Sequence, residues 1–179
     1  MELEFKPVVA GDIDRLRPFY GLRPNKTCDS VFLDSFLWKD YYHVQCAVSE
    51  GRAVLWLMEK DGQVSTAMPL CREEDLPYFF QQMVDYFSGV LHKPFYISLA
   101  DEEAVQCLNL DPALFEVEEQ VDLKDYLYSG EELRKLEGKK FVKKRNHLNG
   151  FKRTYEGRYE YRRLCCSDRH EVWQFMERW

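Results

Sequence analysis

The sequence has no apolar run that approaches the roughly 18 residues needed to cross a bilayer, and its opening residues are acidic rather than signal-like. Its six cysteines form no Cys-x-x-Cys pair, and none stands at zinc-ligand spacing with the four histidines. We therefore expect a cytoplasmic protein with reduced thiols, no transmembrane segment and no metal site. A P-loop, a dinucleotide fingerprint and a nucleophile elbow are also missing, so the sequence identifies no catalytic residue.

Positive charge is scarce over most of the chain and concentrated in one segment. Residues 1–133 hold 11 Lys and Arg against 25 Asp and Glu, whereas residues 134–163 hold 12 against 3. The formal net charge of −6 hides this asymmetry. A basic segment beside an acidic body indicates either a contact with a polyanion or the packing of oppositely charged surfaces.

Hydrophobic spacing predicts a mixture of helices and strands in the first 130 residues. Helices are predicted after Asp12, after Asp29 or Ser30, and from Glu74 or Asp75 to near Gly89. A further helix is predicted from the acidic run 101–103 to Leu108, because carboxylates suit this end of the helix dipole. The predicted strands are Leu3–Phe5, His43–Val48, Ala53–Glu59, Val64–Leu70, Phe95–Leu99, Phe115–Val117 and Asp125–Tyr128.

This element order predicts an α/β (α+β) fold with a mixed, mostly antiparallel central sheet and helices on both faces. The same order is that of the GNAT acyltransferase fold. A GNAT domain that uses acetyl-CoA needs a glycine-rich loop at a helix start, where backbone N–H groups hold the pyrophosphate. The corresponding residues, Met68–Asp75, contain no glycine and three carboxylates. We therefore predict no acetyl-CoA cofactor for this segment.

The remainder of the chain has its own start and stop signals. Ser129 and Glu132 form a capping-box pattern before a short helix, which Gly138 is predicted to interrupt. A longer basic helix follows, and Gly157 is predicted to end it.

The last twenty residues repeat the strand-then-helix opening of residues 3–20. Tyr159–Leu164 is predicted as a strand, and Asp168 is predicted to cap a final helix. We therefore predict a tandem arrangement: a GNAT-like N-terminal domain over 1–130, a basic linker helix over 131–157, and the start of a second, incomplete GNAT-like domain over 158–179.

The basic helix is the candidate binding site, through contacts to phosphates of RNA or to an anionic headgroup. The alternative is a structural role, in which long cationic side chains cover the acidic body. Another motif, Tyr41-Tyr42-His43, could stack on a base or a ligand, although core packing is the favoured interpretation. The candidate polyanion-binding residues are Lys139, Lys140, Lys143, Lys144, Arg145, Asn146, Lys152 and Arg153.

Two stretches carry a resemblance to a known family: Asp125–Tyr128 and the basic run from Leu136 to Lys152. Within the second stretch, Gly138-Lys139-Lys140, Lys144-Arg145-Asn146 and Phe151 match best. The chain resembles bacterial proteins that carry a phosphatidylglycerol lysyltransferase C-terminal-type domain, over essentially its whole length.

This resemblance implies two GNAT-like halves joined by the basic helix, in an acyl- or aminoacyl-transferase that takes its aminoacyl group from a transfer RNA. The chain would be the N-terminal half, with aminoacyl-tRNA as donor substrate and an unknown acceptor. The implied partners are a C-terminal half or a second copy, together with tRNA or an anionic lipid headgroup. The alternative is a non-catalytic module that binds RNA or another polyanion through residues 139–153.

Overall fold

The computed structural model describes residues 3–23, 31–98 and 100–178. It divides into two compact units, Met1–Asp125 and Tyr126–Trp179. The predicted three-part division at residues 130 and 157 stays a prediction. The first unit contains β1 (Lys6–Pro7), α1 (Ile13–Leu16), α2 (Phe32–Leu37), β2 (Gln45–Ser49), β3 (Ala53–Lys60), β4 (Gln63–Ser65), α3 (Leu76–Tyr86) and α4 (Glu102–Leu108).

The four strands form one antiparallel sheet in the order β1-β2-β3-β4, so the predicted mixed α/β class with antiparallel pairing is confirmed. The β3–β4 hairpin closes through Asp61 and Gly62, both of which have positive φ. This is the backbone that an Asp-Gly pair favours in a two-residue hairpin. The predicted Asp-Gly turn is therefore confirmed.

Strand β3 is buried on both sides, because its alternate residues face two separate hydrophobic clusters. Ala53 and Leu55 pack in the cluster that contains α3, whereas Val54 and Trp56 pack in the cluster that contains Leu16 of α1. Helices therefore cover both faces of the sheet within this unit, as the sequence predicted.

Helix α3 supplies the largest block of core side chains. Leu76, Phe79, Phe80 and Met83 are buried along one face at three- and four-residue spacing. A π-helical turn over Phe87–Leu91 extends the helix and ends at His92, which has a left-handed φ of 52°.

Strand β4 is shorter than the predicted Val64–Leu70 because the chain leaves the β3 ladder at Thr66. The buried Thr66 hydroxyl donates to the Trp56 carbonyl at 2.7 Å, and the Thr66 backbone pairs in parallel with Ile97. Pro69 cannot donate to a ladder, so pairing with β3 resumes only at Leu70, which bridges Val54. The predicted strand Phe95–Leu99 is reduced to this single bridge, and Leu99 lies outside the described residues.

Some predicted boundaries and strands are wrong. The first strand is Lys6–Pro7 rather than Leu3–Phe5. Phe115–Val117 forms no strand, because Phe115 packs its ring against Phe80 and Phe95 instead of pairing its backbone. Asp125–Tyr128 also forms none: Tyr126 and Leu127 are more than three-quarters exposed. Asp29 and Ser30, the predicted caps of the second helix, lie outside the described residues.

The second unit contains α5 (Gly130–Lys135), α6 (Val142–Thr154) and α7 (Arg169–Arg178). Ser129 caps α5 as predicted, because its hydroxyl accepts the Glu132 N–H at 3.4 Å. Gly138 separates α5 from α6 with a φ of 81°, which confirms the predicted interruption. The prediction that Tyr159–Leu164 is a strand is wrong, since these residues pair with no strand among those described.

Two helix starts share one capping arrangement. Asp12 and Asp168 each end a 3-10 turn, and their carboxylates accept the backbone N–H three residues earlier, from Val9 at 2.9 Å and from Cys165 at 2.8 Å. The two aspartates therefore act from the end of a 3-10 turn, which corrects the simple N-cap predicted for both. None of the helices formed by the described residues has both the length and the apolar character required to cross a bilayer.

Candidate polyanion-binding helix

Helix α6 follows a turn that its own arginine holds in place. The Arg145 guanidinium donates to the carbonyls of Leu136 and Gly138, the second at 2.9 Å. Leu136 has a left-handed φ of 51° and ends α5. Phe141, only 5% exposed, anchors the 3-10 turn Lys139–Phe141 that leads into α6.

One side of α6 carries Phe151, which packs against two tyrosines that follow the helix. Phe151 contacts the rings of Tyr155 and Tyr159, at centroid distances of 4.9 and 5.1 Å. These three rings remain about half exposed.

Two of the predicted polyanion-binding residues are engaged within the chain. The Lys140 ammonium lies 2.7 Å from the Glu132 carboxylate, and the Arg145 guanidinium donates its hydrogen bonds to backbone carbonyls of the preceding turn. Both side chains therefore have a structural role. The sequence alone does not distinguish a structural cation from a binding cation, because the contacts of a side chain depend on the fold.

The other five cations among the predicted polyanion-binding residues are exposed and make no ion pair or hydrogen bond with any residue that the structure describes. The segment from Lys139 to Tyr155 also contains no carboxylate of its own. These unpaired cations produce a concentrated positive field at this helix. These cations are Lys139, Lys143, Lys144, Lys152 and Arg153.

The position of Lys152 and Arg153 in the last turn of α6 has a second consequence. Cations stabilise a helix C-terminus because the backbone carbonyls there carry partial negative charge. The charges of these two residues therefore stabilise the helix end at which they lie. Lys139 and Lys143 lie at the opposite end, where the helix dipole makes a positive charge unfavourable. The positive charge at the start of α6 is thus not explained by helix stability.

A small cavity of about 220 Å³ lies beside α5 in the same unit, lined mainly by carboxylates. Such a lining repels phosphate, so the cavity is not a candidate for the polyanion. Its lining residues are Glu131, Glu132, Lys135, Glu137 and Phe141.

The favoured core-packing interpretation of Tyr41 and Tyr42 is wrong. Tyr41 is 51% exposed and Tyr42 37% exposed, because α2 ends at Leu37 and the following turn carries both rings to the surface. They form an edge-to-face cluster with Trp38, and the Lys60 ammonium lies 4.1 Å from the centre of the Tyr41 ring.

A buried ion pair in the first unit was missed by the sequence analysis. Arg23 and Asp101 form two parallel hydrogen bonds of 2.9 Å, with side chains only 8% and 10% exposed. Asp101 also accepts the Ala104 N–H at 2.9 Å and so caps α4. The acidic helix start was predicted correctly, but nothing in the sequence linked it to an arginine 78 residues earlier.

Fold and site together define a mixed α/β protein with a four-stranded antiparallel sheet and a separate helical unit that carries a strongly basic helix. Residues 21–179 match the family described as phosphatidylglycerol lysyltransferase, C-terminal. The chain belongs to this family, and the membership predicted from the basic run is confirmed.

Among solved structures, the chain is similar to a conserved protein of unknown function from Bacteroides thetaiotaomicron VPI-5482, with a TM-score of 0.83 and 24% sequence identity. The match covers 99% of this chain and 59% of that chain. At this identity the likeness shows the fold alone. No curated protein matches the chain.

Proposed function

We propose that this chain is the N-terminal part of an aminoacyl-transferase and that it contributes a binding surface for the transfer RNA donor. The observation that carries the proposal is the set of unpaired cations on α6 in a member of a lysyltransferase family. A transfer RNA is the polyanion among the substrates of an aminoacyl transfer, and unpaired lysines bind it through its phosphates.

The proposal includes a GNAT-like architecture for the first unit and the beginning of a second GNAT-like domain after α6. Support for the first part comes from the sheet with helices on both faces. Support for the second comes from the shared capping arrangement of Asp12 and Asp168, each of which also pairs with an arginine, Arg15 or Arg162.

The donor is proposed to be aminoacyl-tRNA rather than acetyl-CoA. The 3-10 turn Glu73–Asp75 leads into α3 and consists of three carboxylates, of which Asp75 pairs with Arg52. A pyrophosphate needs free backbone N–H groups and a positive environment at a helix start, and these carboxylates oppose it. The acceptor and the catalytic residues are not part of this proposal.

The direct test is a binding titration of the full chain with an unmodified, uncharged tRNA transcript at several KCl concentrations. We expect micromolar binding that weakens steeply with salt, with a slope of roughly −0.7 to −0.9 per phosphate contact in a plot of log K against log salt. If the tRNA transcript does not bind even at low salt, the proposed donor is refuted.

A transfer assay separates the enzyme from a non-catalytic binding module. Lysyl-tRNA with a radiolabelled amino acid is supplied with vesicles that contain phosphatidylglycerol and, separately, with peptide acceptors. The assay uses the longer protein that contains the chain, because the chain is proposed to be only part of the enzyme. Transfer supports the aminoacyl-transferase, whereas tRNA binding without any transfer favours the alternative of a non-catalytic RNA-binding module.

A further inference from the structure

One side of α6 combines cations, an amide and a glycine. Residues three, seven and ten positions apart on a helix share a side, and this spacing places Lys143, Asn146, Gly150 and Arg153 together, hereafter the Gly150 face. Lys143, Asn146 and Arg153 are exposed and have no partner among the residues that the structure describes. Lys144 and Lys152 lie on other sides of the helix.

Gly150 is the residue on this face that the fold itself does not explain. It lies in the interior of α6, where glycine is the least favourable residue after proline. A Cβ built on Gly150 meets no atom within 4 Å, so none of the neighbours that the structure describes requires its small size. Gly138 and Gly157, in contrast, have positive φ and are needed for their turns.

Gly150 is half-buried between exposed polar side chains, and no described neighbour requires its small size. Such a glycine is suited to the close approach of another molecule. The charges beside it define the chemistry of that molecule. Lys143 and Arg153 lie about 15 Å apart along the helix axis, one on each side of Gly150. A chain of phosphates satisfies both cations at once, and the Asn146 amide can donate to a phosphate oxygen between them.

We infer that the Gly150 face is the surface of α6 on which the phosphate backbone of the tRNA lies, and that Gly150 lets this backbone approach the helix closely. This inference rests on the proposed function and narrows it from eight candidate residues to one face. It removes Lys140 and Arg145, which are engaged within the chain, and Lys144 and Lys152, which lie on other sides of α6. It also removes Lys139, which lies in the 3-10 turn before α6.

The central variant is Gly150→Ala in the full chain. Because the added methyl group meets open space and alanine favours the helix, the variant should melt about 2–4 °C higher than the parent. It should nevertheless bind the uncharged tRNA transcript about tenfold more weakly. Gly130→Ala is the matched control: its Cβ also meets nothing within 4 Å, but it lies at the start of α5.

Charge variants test the same face by a different property. Lys143→Ala and Arg153→Ala should each reduce the salt slope of tRNA binding by roughly 0.7–0.9, the value of one phosphate contact. Lys144→Ala and Lys152→Ala remove the same charge from the same helix and serve as controls. They should change the slope by less than half as much.

The outcomes separate the inference from the proposed function. If the transcript binds but the Gly150-face variants and the controls behave alike, this inference is overturned while the proposed donor stands. If the transcript does not bind, both fall. A third outcome, in which poly-glutamate binds with the same dependence on Gly150 and the transcript does not, assigns the face to an acidic protein and also overturns the inference.

Discussion

Removal of the Asp101 carboxylate is expected to destabilise the first unit more than any single change at the basic helix. The carboxylate receives both guanidinium hydrogen bonds of Arg23 and the Ala104 N–H, and all three distances are 2.9 Å. The Asp101→Ala variant therefore leaves a buried guanidinium without a counter-ion and a helix without its cap.

The expected magnitude follows from these two losses. Breaking a buried ion pair on one side costs about 3–5 kcal/mol, and loss of an N-cap costs about 1 kcal/mol. Asp101→Ala should therefore lower the free energy of unfolding by roughly 4–6 kcal/mol. Because this is a large part of the usual stability of about 5–15 kcal/mol, milder variants are needed as well.

Two such variants separate the ion pair from the cap. Asp101→Asn keeps an oxygen for the Ala104 N–H and removes only the charge, so it should cost about 1 kcal/mol less than Asp101→Ala. The double variant Arg23→Met with Asp101→Asn removes both charges and should recover part of the loss, because no buried ion remains unpaired. Glu4→Ala is a control, since its pair with Lys6 is largely exposed.

The measurement is urea unfolding followed by far-UV circular dichroism, with a common m value across the variants. A cost below about 1 kcal/mol for Asp101→Ala would refute the argument, because it would mean that the pair is screened by water despite its burial. A double variant less stable than Asp101→Asn would refute the ion-pair part alone.

Two further predictions concern titration and thiol chemistry. The hydrogen bonds from Arg162 and from the Cys165 N–H hold the pKa of Asp168 well below its usual range. The stability that the Asp168 carboxylate gives to the start of α7 is therefore present above about pH 4 and lost as the pH falls further. Asp168→Asn should abolish this pH dependence, which can be followed by the NMR resonance of the Cys165 amide. Burial raises the pKa of the Cys71 thiol to about 11, so iodoacetamide at pH 8 should alkylate the exposed Cys165 and Cys166 on the order of 100-fold faster. Equal rates by peptide mass spectrometry would contradict the burial of Cys71.

The sequence predicted best where periodicity and turn chemistry act locally. The buried side of α3 and the Asp61-Gly62 hairpin follow from residues close together in the chain, and both were predicted. The three predicted strands that do not form rest on short runs of residues, and Tyr159–Leu164 also on its likeness to the opening of the chain. Pairing needs a neighbour, which a run of three to six residues does not specify.

The candidate site was predictable as a segment but not as a surface. The cations between residues 139 and 153 were found by counting charge, yet the contacts of Lys140 with Glu132 and of Arg145 with the Leu136 carbonyl depend on how the turn at Gly138 folds. The pair Arg23–Asp101 was missed for the same reason, since its partners are 78 residues apart. Side-chain pairing over such separations is a property of the fold.

Arg145 stabilises the turn before α6 by hydrogen bonds to its carbonyls, and this affects how mutational data on the helix are interpreted. A systematic alanine scan that scores only RNA affinity would rank Arg145 among the strongest positions, although its guanidinium would never reach a phosphate. Replacement of Arg145 by alanine leaves the Leu136 and Gly138 carbonyls without their donor, so the start of α6 frays. The lysines near this end of the helix then lose their fixed positions together. Thermal melts recorded alongside each titration would expose this false positive, because Arg145→Ala would lose stability whereas Lys143→Ala would not.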